Sequence, residues 1–178
     1  FPRQIDLPGY RPTIHGHPRQ IERAAELINQ ARRPVILAGH GVILSNAEPE
    51  LLALAERANL PVITTLLGIS AIPETHRLSL GMVGMHGGKH ANQAVQKADL
   101  LIVLGARFSD RVTGKVGNFA PDAKIIHVDI DPAEIGKNVR PTLSVVGDLK
   151  DILRKLTPLV EPNLLADWLV DLIRRRQQ

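Results

Sequence analysis

The sequence predicts an α/β domain in which a parallel sheet is covered by helices on both faces. Three observations carry this. Short apolar runs alternate with segments of helical periodicity. The run 100–104 is apolar at every position, as befits a strand covered on both faces. Gly, Thr, Arg or Asp follows every apolar run, and in parallel folds the strand ends are where ligands bind.

The elements follow in order. Residues 1–17, with Pro2, Pro8, Gly9, Pro12 and Gly16, read as an extended linker. Pro18 suits the first turn of a helix with Ile21, Ala24, Ala25 and Ile28 on one face. It stops at Arg32-Arg33-Pro34, and residues 35–38 form the first strand, ended by Gly39-His40-Gly41. Ser45 and Glu48 have capping-box spacing ahead of a helix carrying Leu51, Leu52, Ala55 and Ala58. Pro61 ends that helix, and residues 62–65 form the second strand. A long connection holds Gly68, Pro73, Gly81, Gly84, Gly87 and Gly88, and a helix covers about 90–98. Strands at 100–104, 124–128 and 143–146 follow, with a helical turn at 133–136 between the last two. Asp148 caps a helix bearing Ile152, Leu153, Leu156 and Leu159. A final amphipathic helix with Leu165, Trp168, Leu169, Leu172 and Ile173 is set apart from the main layer by Glu161-Pro162-Asn163. This divides the chain into a linker at 1–17, a central domain at 18–160 and a C-terminal helix or linker at 161–178.

Composition excludes several function classes. The 178 residues include no Cys, so a disulfide scaffold, a Cys-ligated metal site and a thiol nucleophile are all ruled out. No apolar run is long enough to span a bilayer, and no secretory signal is expected because the first twenty residues lack an apolar core. The hydrophobic fraction of 44% supports a packed core. Aromatic residues make up 3%, too few for a base-stacking surface. The net charge of +4 is interleaved with acids, and only Arg174, Arg175 and Arg176 form a run, so nucleic acid is not expected as a partner. The opening on Phe1 suggests a piece of a longer protein.

The candidate site residues lie after the strands. Gly39-His40-Gly41 would let backbone N–H groups approach a phosphate, although Leu44 occupies the third glycine position of a dinucleotide fingerprint. A tight strand-to-helix turn explains the same residues. Thr64-Thr65-Leu66-Leu67-Gly68 could bond a ligand's polar edge or simply close a strand. In Gly84-Met85-His86-Gly87-Gly88, Met85 could pack on a flat ring. His86 and His90 have i, i+4 spacing, but without the Glu of a zinc-protease motif they are not assigned to a metal. Gly105-Ala106-Arg107-Phe108-Ser109-Asp110-Arg111 offers two guanidiniums to an anion, unless Asp110 pairs with them internally. Asp129 could accept ribose hydroxyls or cap the turn beginning at Pro132, and Gly147-Asp148 repeats that choice. A ribose-phosphate ligand such as FAD or NAD accounts for the set together. No Ser-His-Asp arrangement, paired acid–base carboxylates or Walker loop accompanies it.

Four strings are specific enough to identify. They are residues 16–20 (Gly-His-Pro-Arg-Gln), 78–87, 105–115 and the run from His127 to Asn138. In order, and over nearly the whole chain, they resemble the central domain of the acetolactate synthase (acetohydroxyacid synthase) catalytic subunits, a thiamine-diphosphate enzyme family. The resemblance implies a Rossmann-like, three-layer fold with a six-stranded, mostly parallel sheet that carries FAD. It implies a parent flavoprotein that decarboxylates pyruvate on thiamine diphosphate and magnesium and condenses the product with a second 2-oxoacid. That step opens branched-chain amino-acid biosynthesis, and FAD takes no net redox part in it.

Carried over by position, the implied FAD contacts are Gly39, His40, Gly41, Thr65, Leu66, Leu67, Gly68, Val83, Gly84, Met85, His86, Gly105, Ala106, Arg107, Phe108, Ser109, Asp129, Ile130, Asp148 and Leu149. Arg111 is implied to hold the second substrate's carboxylate, in the parent only. His40 replaces the middle Gly of a common Gly-Gly-Gly run, Ser109 a common Asp, and Gly88-Lys89-His90 a small-x-Tyr pattern. Each replacement could weaken FAD binding without changing the fold. The family's activating glutamate and its Gly-Asp-Gly motif for magnesium and diphosphate lie in flanking domains. The chain is therefore expected to bind FAD or its ADP moiety and to be inactive alone. Expected partners are those flanking domains, further copies of the parent and, as a further candidate, a regulatory subunit. The expected location is cytoplasmic. The alternatives are a stand-alone NAD- or ADP-binding module and a ligand-free structural domain.

Overall fold

The computed structural model describes residue 9, residues 11–162 and residues 166–176. Most of the Pro-rich lead-in before residue 11, and Asn163 and Leu165 of the C-terminal break, lie outside the described residues, as do the side chains of Arg175 and Arg176.

Six strands form one sheet: β1 (Pro34–Ala38), β2 (Val62–Thr64), β3 (Ser79–Met82), β4 (Leu100–Leu104), β5 (Lys124–Asp129) and β6 (Leu143–Val146). Their order is β3-β2-β1-β4-β5-β6, and all five pairings are parallel. The sheet is thus parallel throughout, not mostly so. Successive strands run outward from β1 in one direction through β3, and then from β4 in the other. The strand order therefore reverses between β1 and β4, and in such sheets that point opens a crevice at the strands' C-terminal ends.

Residue-by-residue periodicity finds five of these strands and misses β3. Its sequence, Ser79-Leu80-Gly81-Met82, puts a glycine at φ +75° inside a four-residue strand, and its pairing with β2 shifts register. A glycine mid-strand is the sequence mark of a connection, and here it marks an irregular edge.

The helices are α1 (Pro18–Gln30), α2 (His40–Leu44), α3 (Glu48–Ala58), α4 (Lys89–Lys97), α5 (Asp110–Thr113), α6 (Leu149–Leu156) and α7 (Ala166–Arg176). The sheet divides the core. Ile36, Ala38, Ile102, Leu104, Ile126 and Val128 point to one face and pack against α1, α3 and α6. Val35, Leu37, Leu101, Val103 and Ile125 point to the other, with Ala91, Ala94 and Val95 of α4. Alternate residues serve opposite cores, which is why strands such as 100–104 are apolar at every position.

Two local expectations are corrected. Ser45 does not open a capping box. It closes α2, its hydroxyl donating to the Gly41 carbonyl at 2.8 Å, and α3 starts at Glu48 after Ala47 without a side-chain cap. The C-terminal helix α7 does not stand apart from the main layer. Trp168 and Leu172 are buried in the second core, and the Trp168 indole N–H donates to the Pro34 carbonyl at 3.3 Å. The cap at Asp148 is present: its carboxylate accepts the Asp151 N–H at 3.1 Å.

Candidate functional site

Beyond the ends of β1 and β4 three stretches of backbone meet. Gly39 N–H donates to the Leu104 carbonyl at 2.8 Å, and Gly41 N–H to the Gly105 carbonyl at 3.1 Å. A β-carbon at Gly39 would lie 2.2 Å from the Gly105 oxygen, and one at Gly68 2.2 Å from the Ala38 oxygen. The glycines are required because backbones touch there. Gly105 also adopts φ +59°, a region that glycine enters without the steric cost a side chain brings.

Around this junction lies a cavity of about 540 Å³, within the usual range for ligand sites. It is lined by His40, Thr65, Leu66, Leu67, Val83, His86, Gly105, Ala106, Arg107, Phe108, Ser109 and Arg111, all singled out from the sequence, and by Met82 and Val112. Those two went unrecognised because Met82 ends the missed strand β3 and Val112 lies in the short helix α5. No carboxylate lines the cavity, while two guanidiniums and two imidazoles do. Among the described residues no ion pair engages Arg107 or Arg111, so Asp110 does not neutralise them. The cavity is suited to a ligand that is apolar or aromatic over much of its surface and carries negative charge.

The loops are tied in place. His40 begins α2, and its Nδ1–H donates to the Leu67 carbonyl at 3.0 Å, linking the turns after β1 and β2. Its φ is not positive, so the side chain costs no backbone freedom there. The Thr65 hydroxyl accepts the Gly68 N–H at 3.1 Å, closing a 3₁₀ turn at Leu66–Gly68 and leaving Leu66 and Leu67 exposed. The Asn92 side chain brackets Gly84, bonding its N–H and its carbonyl at 3.0 Å each. The Met85 N–H donates to the Arg111 carbonyl at 2.9 Å, which joins the Gly84 loop to α5.

The remaining candidates lie outside the cavity. Met85 is exposed at 71%. Asp129 is buried at the end of β5, its carboxylate accepting the Asp131 N–H at 3.0 Å. Ile130 is exposed beside it, Asp148 caps α6, and Leu149 is buried in the first core. His90 does not reach toward His86: its Nε2–H donates to the Leu80 carbonyl at 2.8 Å. Among the described residues no three His, Asp or Glu side chains gather in a metal-binding group, and no helix is long and apolar enough to cross a membrane.

Residue-level searching misses one group. His127 of β5 is fully buried below the cavity, and its Nε2–H donates to the Ala106 carbonyl at 2.9 Å. Burial pushes the imidazole pKa below its ordinary value, against smaller opposing effects of Asp129, the Ala106 bond and Glu134. Burial thus favours the neutral ring, and among the described residues its Nδ1 has no hydrogen-bond partner.

Comparison with known proteins adds a family and relatives. Residues 21–156 match the family described as "Thiamine pyrophosphate enzyme, central domain". The chain is 62% identical over 156 residues to the "Probable acetolactate synthase large subunit" of Methanocaldococcus jannaschii, an alignment covering 88% of this chain and 26% of that protein. It is 54% identical to the "Acetolactate synthase large subunit" of Corynebacterium glutamicum, over 88% of this chain and 25% of that one. It is 51% identical to the "Acetolactate synthase" of Mycobacterium avium, over 94% of this chain and 28% of that one. The chain thus spans about a quarter of the length of the curated relatives it matches.

Proposed function

The chain belongs to the family of thiamine pyrophosphate enzyme central domains, and from that premise we propose that it serves as the FAD-carrying centre of an acetolactate synthase large subunit. The observation that carries this is the acid-free cavity at the β1–β4 reversal, lined by Arg107 and Arg111, which have no ion-pair partner among the described residues. The residues fit such a group. The glycine junction brings backbone close to the ligand space, Leu66, Leu67 and Val83 offer apolar surface, and the guanidiniums meet phosphate or carboxylate. Asp129 and Asp148, at the ends of β5 and β6, lie on the side where the ribose and the far end of a dinucleotide would extend. FAD supplies an ordered aromatic surface and no net electron transfer in this role.

The parent reaction condenses pyruvate with a second 2-oxoacid on thiamine diphosphate and magnesium. Arg111 holds the second substrate's carboxylate in that assembly. The flanking domains supply the thiamine-activating glutamate and the magnesium motif, and the parent assembles from several copies. Within the chain, residues 18–160 act as the cofactor-binding unit. Alone it binds FAD or ADP and does not turn over pyruvate.

The test is the visible absorption of the purified chain after incubation with FAD and removal of the excess, beside titrations with FAD, NAD and ADP. A retained flavin band, with FAD preferred over NAD, is expected. A colourless chain without affinity for FAD or ADP overturns the reading. Acetolactate formed from pyruvate by the chain alone overturns the assignment of catalysis to its neighbours.

A further inference from the structure

The string from His127 to Asn138 is one of the most specific in the sequence, yet none of its residues lines the cavity. Its two ends converge on one turn. The His127 Nε2–H donates to the Ala106 carbonyl, and its ring meets the Phe108 ring edge to face at a centroid distance of 5.0 Å. The Asn138 Nδ2 donates to the Arg107 carbonyl at 3.0 Å and to the Phe108 carbonyl at 3.2 Å. Three successive carbonyls, from residues 106, 107 and 108, are therefore held by two side chains from one string. Phe108 needs holding: it is non-glycine at φ +52°, a region that costs free energy and persists where its surroundings over-determine it. Phe119 adds a second edge-to-face ring at 5.9 Å. At the apex sits Arg107, exposed and without an ion-pair partner among the described residues.

We infer that His127 and Asn138 are positioning residues that clamp the 106–108 turn in the strained form presenting Arg107 to an anionic part of the cavity ligand. They do not touch that ligand and act through Arg107. The hydrogen-bond roles agree with this. A carbonyl only accepts, so His127 must carry its proton on Nε2, and its burial keeps the ring neutral. The inference rests on the FAD reading for the identity of the ligand and on geometry alone for the clamp.

Two measurements on the 178-residue chain test it. The first is hydrogen–deuterium exchange of the peptide covering 105–112 without ligand. Asn138→Ala removes an exposed side chain, so the fold is retained. It should raise exchange in that peptide several-fold and leave β1 and β4 at the wild-type rate. His127→Phe keeps the ring and should do the same. Unchanged exchange in both variants overturns the clamp. The second is a double-mutant cycle in FAD affinity. Arg107→Ala should weaken binding roughly ten- to hundredfold and Asn138→Ala about tenfold, and the double variant no more than Arg107→Ala alone. Independent, multiplying losses overturn action through Arg107. Raised exchange in both variants, with no affinity of the wild-type chain for FAD or ADP, keeps the clamp and overturns the FAD reading.

Discussion

Gly41 and Gly105 lie so close that a β-carbon on Gly105 would be 2.6 Å from the Gly41 α-carbon, and one on Gly41 2.7 Å from that of Gly105. The contact joins the first turn of α2 to the turn after β4, across the point where the strand order reverses. Gly105→Ala therefore meets two penalties. The left-handed φ costs about 1–2 kcal/mol, and the overpacked contact with backbone about 1–3 kcal/mol more. A loss of roughly 2–5 kcal/mol in urea unfolding is expected. Gly81, where a β-carbon meets nothing within 4 Å, should lose only the φ penalty on the same change. Equal losses at the two sites would show that the contact is not the cause.

His127 predicts the sign of a pH effect. Its pKa is lowered in the folded chain from the ordinary value near 6.5, so just below that pH the unfolded chain binds more protons than the folded one. Stability is full above pH 6.5 and falls as pH drops from there toward the folded pKa. The Asp151 carboxyl contributes separately. Burial pushes it up, but hydrogen bonds from Lys155 and His15 outweigh that and hold it below its ordinary value near 3.8, so its share is lost only in stronger acid. His127→Phe should flatten the melting temperature between pH 5 and 7, roughly the range in which an ordinary imidazole titrates. An unaltered slope in that range would assign it to another group.

How much of this was legible beforehand follows from how each feature is encoded. Strands 34–38 and 100–104 announce themselves because both faces are buried and every residue is apolar. β3 does not, because its signal is broken by Gly81. The glycines at 39, 41, 68 and 105 were readable as special positions. That their purpose is contact between backbones is a tertiary fact, invisible to local spacing. The buried His127 was hidden for the same reason: nothing adjacent in sequence distinguishes it from an exposed strand residue. Arg107 and Arg111 were readable as an anion site against an internal ion pair with Asp110, and the absence of that pair among the described residues favours the first.

Arg107→Ala gives a direct test of charge at the cavity. The side chain is exposed and unpaired among the described residues, so the melting temperature should not change. A charged hydrogen bond to a phosphate contributes about 1.5–3 kcal/mol, hence a roughly ten- to hundredfold loss in FAD affinity. Arg107→Lys should restore the charge and only part of the affinity, because a single ammonium cannot make the paired bonds of a guanidinium. Isothermal titration with FAD measures all three, and equal affinity in the three proteins would remove Arg107 from the ligand's surroundings.

The C-terminal helix supplies the last prediction. α7 is joined to the rest of the chain through Glu161-Pro162, which in sequence marks a break, yet it completes the second core. Leu172 is fully buried and Trp168 is 8% exposed, its indole N–H bonded to the first residue of β1. The ring fills space beside α4 and the sheet, and small side chains there, Ala91, Ala94 and Ala98, cannot close over it if it is removed. Trp168→Ala should cost about 3–5 kcal/mol, the usual range for a large buried aromatic residue. Trp168→Phe retains most of the volume but leaves the Pro34 carbonyl without its donor, and should cost less. Deleting residues 161–178 should destabilise the domain at least as much as Trp168→Ala, since it removes the buried Leu172 as well. Thermal unfolding followed by far-ultraviolet circular dichroism orders the three variants. A truncated chain as stable as the full one would show that α7 adds nothing to the second core.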